Sequence, residues 1–257
     1  MAKLSSEDKF FDVSDYGRRP AMFMAKALKN TTVTPVQVTL VFGVCGALAA
    51  LAIWHKYYIT AAVLLILKSI IDALDGELSR AKNTPSYTGR YLDSIFDFIL
   101  NALFIYVIFK ETNGNMWLAL TAFFCIQLQG TLYNYYYVIL RNVSTNADVT
   151  SKVFENIKPI AMPGESQQTV NILYYIFSFF YSGFDKIIYL LDKKAALKKT
   201  FPSWFMTLVS FYGLGFQLLI MAIMLVLNFD SYIIAFFIGY TFLLIIIMGL
   251  RKLFVLN

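Results

Sequence analysis

The chain has 257 residues, of which 58% are hydrophobic and 15% are charged, and its formal net charge is +6. Soluble domains are about 45–50% apolar and about 25% charged, so this composition excludes a soluble globular domain, a disordered tail and a nucleic-acid-binding arm. Both cysteines, Cys45 and Cys125, lie in apolar stretches, so we expect neither a disulfide framework nor a zinc motif. The polar N-terminus lacks a basic region followed by an apolar one, so we expect no cleaved signal peptide.

The first predicted helix lies within residues 1–34, which we interpret as a cytoplasmic segment. Pro20–Leu28 reads PAMFMAKAL and follows Arg18 and Arg19. A proline suits the first turn of a helix, and apolar residues beside basic ones are typical of a helix that lies on a membrane surface. We therefore predict an interfacial helix here, ahead of a membrane domain at residues 35–257.

The rest of the chain is dominated by long apolar stretches. A membrane-spanning helix needs about 20 predominantly apolar residues. Six stretches meet that requirement, and in chain order they are Pro35–Trp54, Tyr57–Leu78, Tyr91–Phe109, Trp117–Leu140, Trp204–Leu227 and Tyr232–Leu250. Two of them begin at a tryptophan, as is typical of the membrane interface. The sequence therefore predicts an all-α fold, a polytopic bundle of six transmembrane helices in an integral membrane protein.

Positive charges decide how this bundle is oriented and how many spans it has. With six spans and a cytoplasmic N-terminus, 19 of the 22 lysines and arginines fall on one side, as the positive-inside rule requires. A seventh span at Val170–Leu191 would move the lysine-rich segment at residues 193–199 to the other side. We therefore interpret Val170–Leu191 as an interfacial or hairpin helix on the cytoplasmic face, within a cytoplasmic loop at residues 142–200. Both termini are predicted to be cytoplasmic, with the protein in the inner membrane if its source is prokaryotic.

Two neighbouring spans each carry a pair of aspartates. Ionisable groups inside a membrane are costly and therefore indicate a functional site. Asp72 and Asp75 are three residues apart and Asp93 and Asp97 are four apart, so each pair lies on one helical face. Facing carboxylates repel one another strongly in a low-dielectric groove, and Mg²⁺ is typically held by a few carboxylates together with substrate phosphates. A cation site is predicted, and from these residues alone a proton relay or a cation transporter is an alternative.

The spacing around these aspartates is more specific than the pairs themselves. It reads Asp72-x2-Asp75-Gly76-x2-Ser79-Arg80-x8-Gly89-x3-Asp93-x3-Asp97. This pattern resembles the signature D-x2-D-G-x2-A-R-x8-G-x3-D-x3-D of the CDP-alcohol phosphotransferase family, and its one departure is Ser79 in place of alanine. A weaker similarity is the segment Thr34–Thr39, where many relatives have asparagine at the position of Val36. The six-helix organisation extends the resemblance over most of the chain.

The resemblance implies an enzyme that cleaves a CDP-linked donor, transfers its phosphorus-bearing group to an alcohol and releases CMP. It assigns metal binding to Asp72, Asp75 and Asp93, and it makes Asp97 the general base and a further metal ligand. The implied cofactor is Mg²⁺ or Mn²⁺, as one or two ions. The implied nucleotide-binding residues are Asp72, Gly76, Ser79, Arg80 and Gly89. Physical chemistry agrees, because a pyrophosphate requires cations and a weak alcohol nucleophile gains from a positioned carboxylate.

The resemblance leaves two arrangements of substrates. In one, the donor is CDP-diacylglycerol and the acceptor is serine, glycerol 3-phosphate or inositol phosphate. In the other, CDP-choline or CDP-ethanolamine reacts with a diradylglycerol. Eukaryotic enzymes of the second kind typically carry histidine where this chain has Ser94, so the sequence favours the first. The stretch DGELSR followed by YLDS is similar to the inositol-phosphate-type and serine-type enzymes.

Several further residues have two interpretations. An anionic acceptor requires extra cations, and the candidates are Arg141, Lys152 and Lys158. Their alternative role is that of ordinary positive-inside residues. Lys68 precedes Asp72 by four residues, and it either pairs with that aspartate or extends to the far interface.

Glycine pairs at positions 43 and 46 and at positions 213 and 215 indicate close helix packing and, as in many relatives, a homodimer. The other expected partners are the CDP-linked donor, the alcohol acceptor and membrane lipids, without nucleic acid. Two other classes of function are an ion-coupled transporter and an inactive membrane scaffold. A transporter does not require the pattern of Gly76, Arg80 and Gly89, and a scaffold leaves the intramembrane carboxylates unexplained.

Overall fold

The computed structural model describes residues 8–144, 150, 152, 155, 157–198 and 200–254. Within those residues the chain forms nine α-helices and no strand, which confirms the all-α prediction. In chain order the helices are α1 (Arg18–Leu28), α2 (Pro35–Trp54), α3 (Tyr58–Lys82), α4 (Tyr87–Glu111), α5 (Met116–Ser144), α6 (Gln167–Leu191), α7 (Ser203–Ser210), α8 (Leu214–Val226) and α9 (Ile233–Phe254).

Four segments of the described chain are long and apolar enough to cross a membrane, and they are Pro35–Trp54, Tyr87–Glu111, Met116–Asn142 and Asp230–Leu253. α7 and α8 meet the same requirement as a pair bent by 46°. The charges of the aspartate motif make α3 less apolar, although it has 25 residues. The described structure therefore offers four or five candidate spans, and the count of six stays a prediction.

α3 is the central helix, and it packs against α1, α2 and α8. α4 also packs against α2, where two glycines allow the helices to approach closely. A Cβ atom at Gly46 would lie 2.5 Å from Leu100 Cδ1, and one at Gly43 would lie 2.8 Å from the Phe96 ring. The predicted close packing at these glycines is confirmed, and it occurs within one chain, so they lend no support to a homodimer interface. α2 thus supports both of the helices that carry the aspartates.

The residues before α1 form a strap, Asp12–Gly17, that runs along the start of α8. The backbone N–H of Val13 donates a hydrogen bond of 3.0 Å to Ser210 Oγ. A Cβ atom at Gly215 would lie only 2.0 Å from the Ser14 carbonyl oxygen. The N-terminal segment therefore enters the helical bundle, whereas the sequence predicts only a surface helix in this part of the chain.

The fifth predicted span is not a continuous helix. The sequence predicts one helix over Trp204–Leu227, whereas α7 ends at Ser210 and α8 begins at Leu214. Gly213 between them has extended backbone angles, with φ −66° and ψ 149°. The strap occupies this break, because Ser14 contacts Gly213 closely. The break is set by a partner about 200 residues away in the sequence, which a local hydropathy pattern does not register.

α1 is packed on one face and open on the other. Ala21 and Ala25 are buried where α1 packs against α3, and the side chain of Phe23 is 78% exposed. A large exposed apolar residue on a helix beside apolar spans suits a membrane surface. The assignment of α1 as an interfacial helix stays a prediction, as do the domain bounds around it.

α6, which covers the stretch predicted to be interfacial, packs on α4 and α5. The ring of Phe180 stacks on Phe98 of α4, with 4.3 Å between the ring centroids. Phe184 contacts Phe124 of α5. Leu191 ends the helix. The placement of α6 at the membrane interface stays a prediction.

A buried ion pair closes the bundle beyond α6. Arg251 of α9 is fully buried, and its Nε lies 2.5 Å from a carboxylate oxygen of Asp192. Tyr136 of α5 donates a hydrogen bond of 2.7 Å to the same carboxylate. The sequence counted Arg251 in the positive-inside pattern, which stays a prediction, and the structure adds that this arginine is buried beside a specific partner.

Candidate active site

Three motif aspartates converge between α3 and α4. Asp72, Asp75 and Asp93 each offer a carboxylate oxygen, and these oxygens all lie within 4.8 Å of one another. The helix period explains the first two, because residues three apart lie on the same face. Asp93 reaches the cluster from the other helix, since α4 is held beside α3 by their common contact with α2.

The chemistry of this cluster fits a divalent cation. Asp93 Oδ1 is buried, and it has no hydrogen-bond partner among the described residues. A buried carboxylate oxygen without a partner is costly, and a metal ion would satisfy it. Asp75 is already oriented, because Thr39 of α2 donates a hydrogen bond of 2.7 Å to its Oδ2. Three carboxylates of this kind suit Mg²⁺ or Mn²⁺.

The fourth motif aspartate, Asp97, is held by a lysine. Lys68 of α3 has 1% of its surface exposed and donates a hydrogen bond of 2.8 Å to Asp72 Oδ2. Its Nζ also donates to Asp97 Oδ1. Of the two arrangements that the sequence left open for Lys68, the structure shows the pairing with Asp72. The additional contact with Asp97 was missed, because it joins residues on different helices.

Gly76 and Arg80 form the next turn of α3. A Cβ atom at Gly76 would meet only the guanidinium of Arg80, with Nη2 at 3.4 Å. Protein packing therefore does not explain this glycine. Arg80 Nη2 lies 2.8 Å from Glu77 Oε1, and Arg18 Nε of α1 lies 2.9 Å from the same oxygen. Glu77, which sequence reasoning passed over, thus holds two arginines beside the motif.

The remaining motif positions, Ser79 and Gly89, organise the turn between α3 and α4. The Ser79 hydroxyl donates a hydrogen bond of 2.9 Å to the Thr84 carbonyl oxygen. The N–H of Gly89 donates one of 2.8 Å to Ser86 Oγ, which caps the start of α4. The turn therefore has a defined shape, and the assignment of Ser79 and Gly89 to a nucleotide pocket stays a prediction.

A residue far along the chain completes this turn. The carboxylate of Glu165 accepts hydrogen bonds of 2.7 Å from Ser86 Oγ and the Thr88 N–H. Partial burial acts to raise the pKa of Glu165, but hydrogen bonds from Ser86, Thr88 and Met162 outweigh it and hold the pKa below its usual value. Since an anion is stabilised at a helix N-terminus, Glu165 anchors the loop before α6 on α4.

Of the three acceptor candidates, Arg141 interacts electrostatically with a motif residue. Its guanidinium interacts electrostatically with those of Arg80 and Arg90. Arg90 also pairs with Glu155. The other two candidates are exposed, and the Nζ of Lys158 lies 4.4 Å from the ring centroid of Tyr175. The electrostatic interaction with Arg80 therefore supports Arg141 as a candidate, whereas Lys152 and Lys158 stay candidates on their charge alone.

Tyr181 of α6 is a site residue that sequence reasoning missed. Its hydroxyl donates a hydrogen bond of 2.9 Å to the backbone carbonyl of Ser94. The phenol interacts electrostatically with Asp93 and Asp97. No pattern in the sequence distinguishes this tyrosine from the other 16, because α6 meets the site only in the folded chain.

Together, the apolar helices and the carboxylate cluster define an integral membrane protein whose site suits a metal ion and a phosphate-containing substrate. The chain belongs to the CDP-alcohol phosphatidyltransferase family, whose model matches residues 32–247. The family match and the carboxylate cluster support a transferase of substituted phosphate groups. Enzymes of this family generally depend on divalent metal ions.

Three curated archaeal proteins are similar to part of the chain. The archaetidylinositol phosphate synthase of Pyrococcus horikoshii is 31% identical over 89 residues, which are 35% of this chain and 47% of that protein. A bifunctional IPC transferase and DIPP synthase of Thermococcus kodakarensis is 37% identical over 86 residues, 33% of this chain and 20% of that protein. Its counterpart in Archaeoglobus fulgidus is 40% identical over 76 residues, 30% of this chain and 15% of that protein. The chain therefore matches about half or less of the length of these relatives.

Proposed function

We propose that the protein transfers a phosphatidyl group from CDP-diacylglycerol to a small phosphorylated polyol, with inositol phosphate as the first candidate, and releases CMP. The observation that carries this proposal is the electrostatic interaction of Arg141 with Arg80 and Arg90 beside the aspartate cluster. Arg80 and Arg90 are each paired with one glutamate, and a phosphate bound beside the three guanidinium groups would accept charge-assisted hydrogen bonds from them. A neutral or zwitterionic acceptor has no comparable need for them.

The similar archaeal proteins support the same acceptor class. One of them is an archaetidylinositol phosphate synthase, whose named product contains inositol phosphate. Serine and glycerol 3-phosphate stay as competing acceptors within the same branch. The branch with CDP-choline or CDP-ethanolamine as donor is less well supported, because Ser94 replaces the histidine that is typical of it.

In this proposal each motif residue has a separate task. Asp72, Asp75 and Asp93 would hold Mg²⁺ or Mn²⁺, which when bound neutralises the pyrophosphate and stabilises the departing CMP phosphate. Asp97 accepts the proton of the acceptor hydroxyl, since a positioned carboxylate increases the nucleophilicity of an alcohol. Gly76 leaves space for the nucleotide against the backbone of α3, next to Arg80.

We also propose that the site faces the cytoplasm. Arg80, Arg90 and Arg141 lie near the ends of α3, α4 and α5, which the predicted topology puts on the side with most of the lysines and arginines. Both native cysteines are buried, so a cysteine placed at the exposed position Lys152 gives a clean label. A membrane-impermeant maleimide should label it in inverted vesicles and fail to label it in intact cells. The reverse labelling would contradict the orientation.

The decisive experiment is CMP release by the purified chain in lipid nanodiscs with Mg²⁺ or Mn²⁺. CDP-diacylglycerol should be tested with inositol 1-phosphate, glycerol 3-phosphate, inositol and serine. CDP-choline and CDP-ethanolamine with diacylglycerol form the second donor panel. Release that requires inositol 1-phosphate is the expected result. Release with inositol but not with its phosphate would contradict the role proposed for the arginines.

A pair of variants tests the acceptor site directly. Arg141→Ala should raise the KM for the phosphorylated acceptor about 10- to 100-fold, since a hydrogen bond to a charged group contributes about 1.5–3 kcal/mol. The KM for the CDP-linked donor should change much less. Lys158→Ala is the matched control, because it removes a positive charge from an exposed position. Equal effects of the two substitutions would contradict a specific role of Arg141.

A further inference from the structure

The buried lysine of α3 occupies a position inside the carboxylate site. Lys68 Nζ lies between Asp72 and Asp97, and it donates a hydrogen bond to each carboxylate. Its side chain has 1% of its surface exposed. The ammonium group is also 4.6 Å from the centroid of the Phe42 ring, a favourable cation–π geometry. Lys68 is therefore held in place by three neighbours.

These contacts divide the four motif aspartates into two groups. The oxygens of Asp72, Asp75 and Asp93 converge within 4.8 Å and fit one divalent ion. Asp97 is outside that group, and its Oδ1 accepts a hydrogen bond from Lys68. A second divalent ion shared by Asp72 and Asp97 would have to bind where the ammonium lies. Two cations cannot share that space, because their repulsion is strong at such distances.

The charge balance of the site also favours one divalent ion together with the Lys68 ammonium. Four carboxylates carry four negative charges, and one divalent ion with one ammonium already supplies three positive ones. One negative charge remains, and the cationic neighbours of the site, Arg80 among them, would offset it when the substrate binds. Without Lys68, a single divalent ion would leave two negative charges uncompensated in a low-dielectric groove.

We propose that Lys68 takes the place of a second metal ion, so that this chain binds one divalent cation per molecule, at Asp72, Asp75 and Asp93. The ammonium also orients Asp97 toward the acceptor, which makes Lys68 a positioning residue. This inference rests on the proposed function, because it concerns the metal that the proposed reaction uses. Lys68 would thus limit the number of bound divalent ions to one.

The test is a count of bound Mn²⁺ by the full chain in nanodiscs, from calorimetric titration and from the electron paramagnetic resonance signal of free Mn²⁺. Wild-type protein should bind one Mn²⁺ per chain, with the spectrum of an isolated ion. Lys68→Ala should bind two, with the spectral broadening of a coupled pair, because it frees Asp97 and the space beside it. Lys68→Arg should bind one, because it keeps the positive charge.

Lys110→Ala is the matched control, since Lys110 lies at the far end of α4 in contact with Tyr106 and Phe109, and it should bind one Mn²⁺. Two coupled ions in the wild-type protein would overturn the proposal, and this measurement needs no variant to fold. One ion in both the wild-type protein and Lys68→Ala would also overturn it. CMP release measured on the same samples tests the proposed function separately, since an enzyme with two ions would still release CMP.

Discussion

Two glycines in the central helices should respond in opposite ways to the same substitution. Gly76 lies within α3, and a Cβ atom there would meet only the flexible end of Arg80 at 3.4 Å. Gly46 lies within α2, where a Cβ atom would be 2.5 Å from one methyl carbon of Leu100 and 2.8 Å from the other. Both positions are helical, so the intrinsic gain from Gly→Ala is the same, about 0.5–1 kcal/mol.

The difference between the variants follows from packing. Gly46→Ala forces Leu100 to move in a close-packed interface, and overpacking of this kind costs about 1–3 kcal/mol. Gly76→Ala has no such cost in the free protein, so it should be about 1–3 kcal/mol more stable than Gly46→Ala. The effect on donor binding has the opposite order, because only the methyl group added at Gly76 would occupy the space proposed for the nucleotide. A steric cost of about 1.4–2.8 kcal/mol corresponds to a 10- to 100-fold loss of affinity.

Two assays separate these effects. Reversible unfolding in mixed micelles measures the free energy of each variant, and initial rates of CMP release over a range of donor concentrations measure KM for the donor. We expect Gly76→Ala to be as stable as the wild type or more stable, with a KM raised about 10- to 100-fold. Gly46→Ala should be less stable than Gly76→Ala and keep its KM. A wild-type KM in Gly76→Ala would refute the assignment of this glycine to the nucleotide site.

Three further predictions concern single carboxylates. Asp97→Asn should lower CMP release about 10²- to 10⁴-fold. The protein should stay folded, since Lys68 keeps its partner Asp72. A near wild-type rate would exclude Asp97 as the base. Asp192→Ala should destabilise the protein by about 3–5 kcal/mol in micelle unfolding, because it leaves Arg251 buried without its counter-ion. Unchanged stability would contradict the stabilising role of this ion pair. Because the pKa of Glu165 is lowered in the folded state, its stabilising effect is present above about pH 4.3 and is lost as the pH falls through the folded-state pKa. The protection factor of the amides that Glu165 caps, which corrects for the intrinsic slowing of exchange in acid, should therefore fall in acid in the wild type. Glu165→Gln should remove that pH dependence of the protection factor.

Much of the fold and the family was predictable because the relevant signals are local. A span is set by the thickness of the bilayer, so hydropathy alone locates α2, α4, α5 and α9 to within a few residues. The pairing of Asp72 with Asp75 follows from the helix period. The family could be predicted for the same reason, since its motif occupies the 26 residues from Asp72 to Asp97.

Most of the parts that sequence reasoning missed depend on partners distant in the chain. Thr39 lies 36 residues before Asp75, and Ser86 lies 79 residues before Glu165. The break between α7 and α8 depends on the strap at the other end of the protein. Tyr181 meets Ser94 across 87 residues. Such contacts leave no periodic pattern, because each partner is unremarkable within its own segment.

Lys68 is an example of a residue whose helix position follows from the sequence but whose partners follow only from the tertiary structure. The sequence alone placed it one turn before Asp72 and left two directions for its side chain, because a lysine stem is long enough to reach either. Only the packing of α4 beside α3 brings Asp97 to the same ammonium. The sequence by itself therefore determined the helices, the motif and the family, since these depend on spacing along one helix. The tertiary structure decided which carboxylates are left for a metal ion, since that depends on contacts between helices.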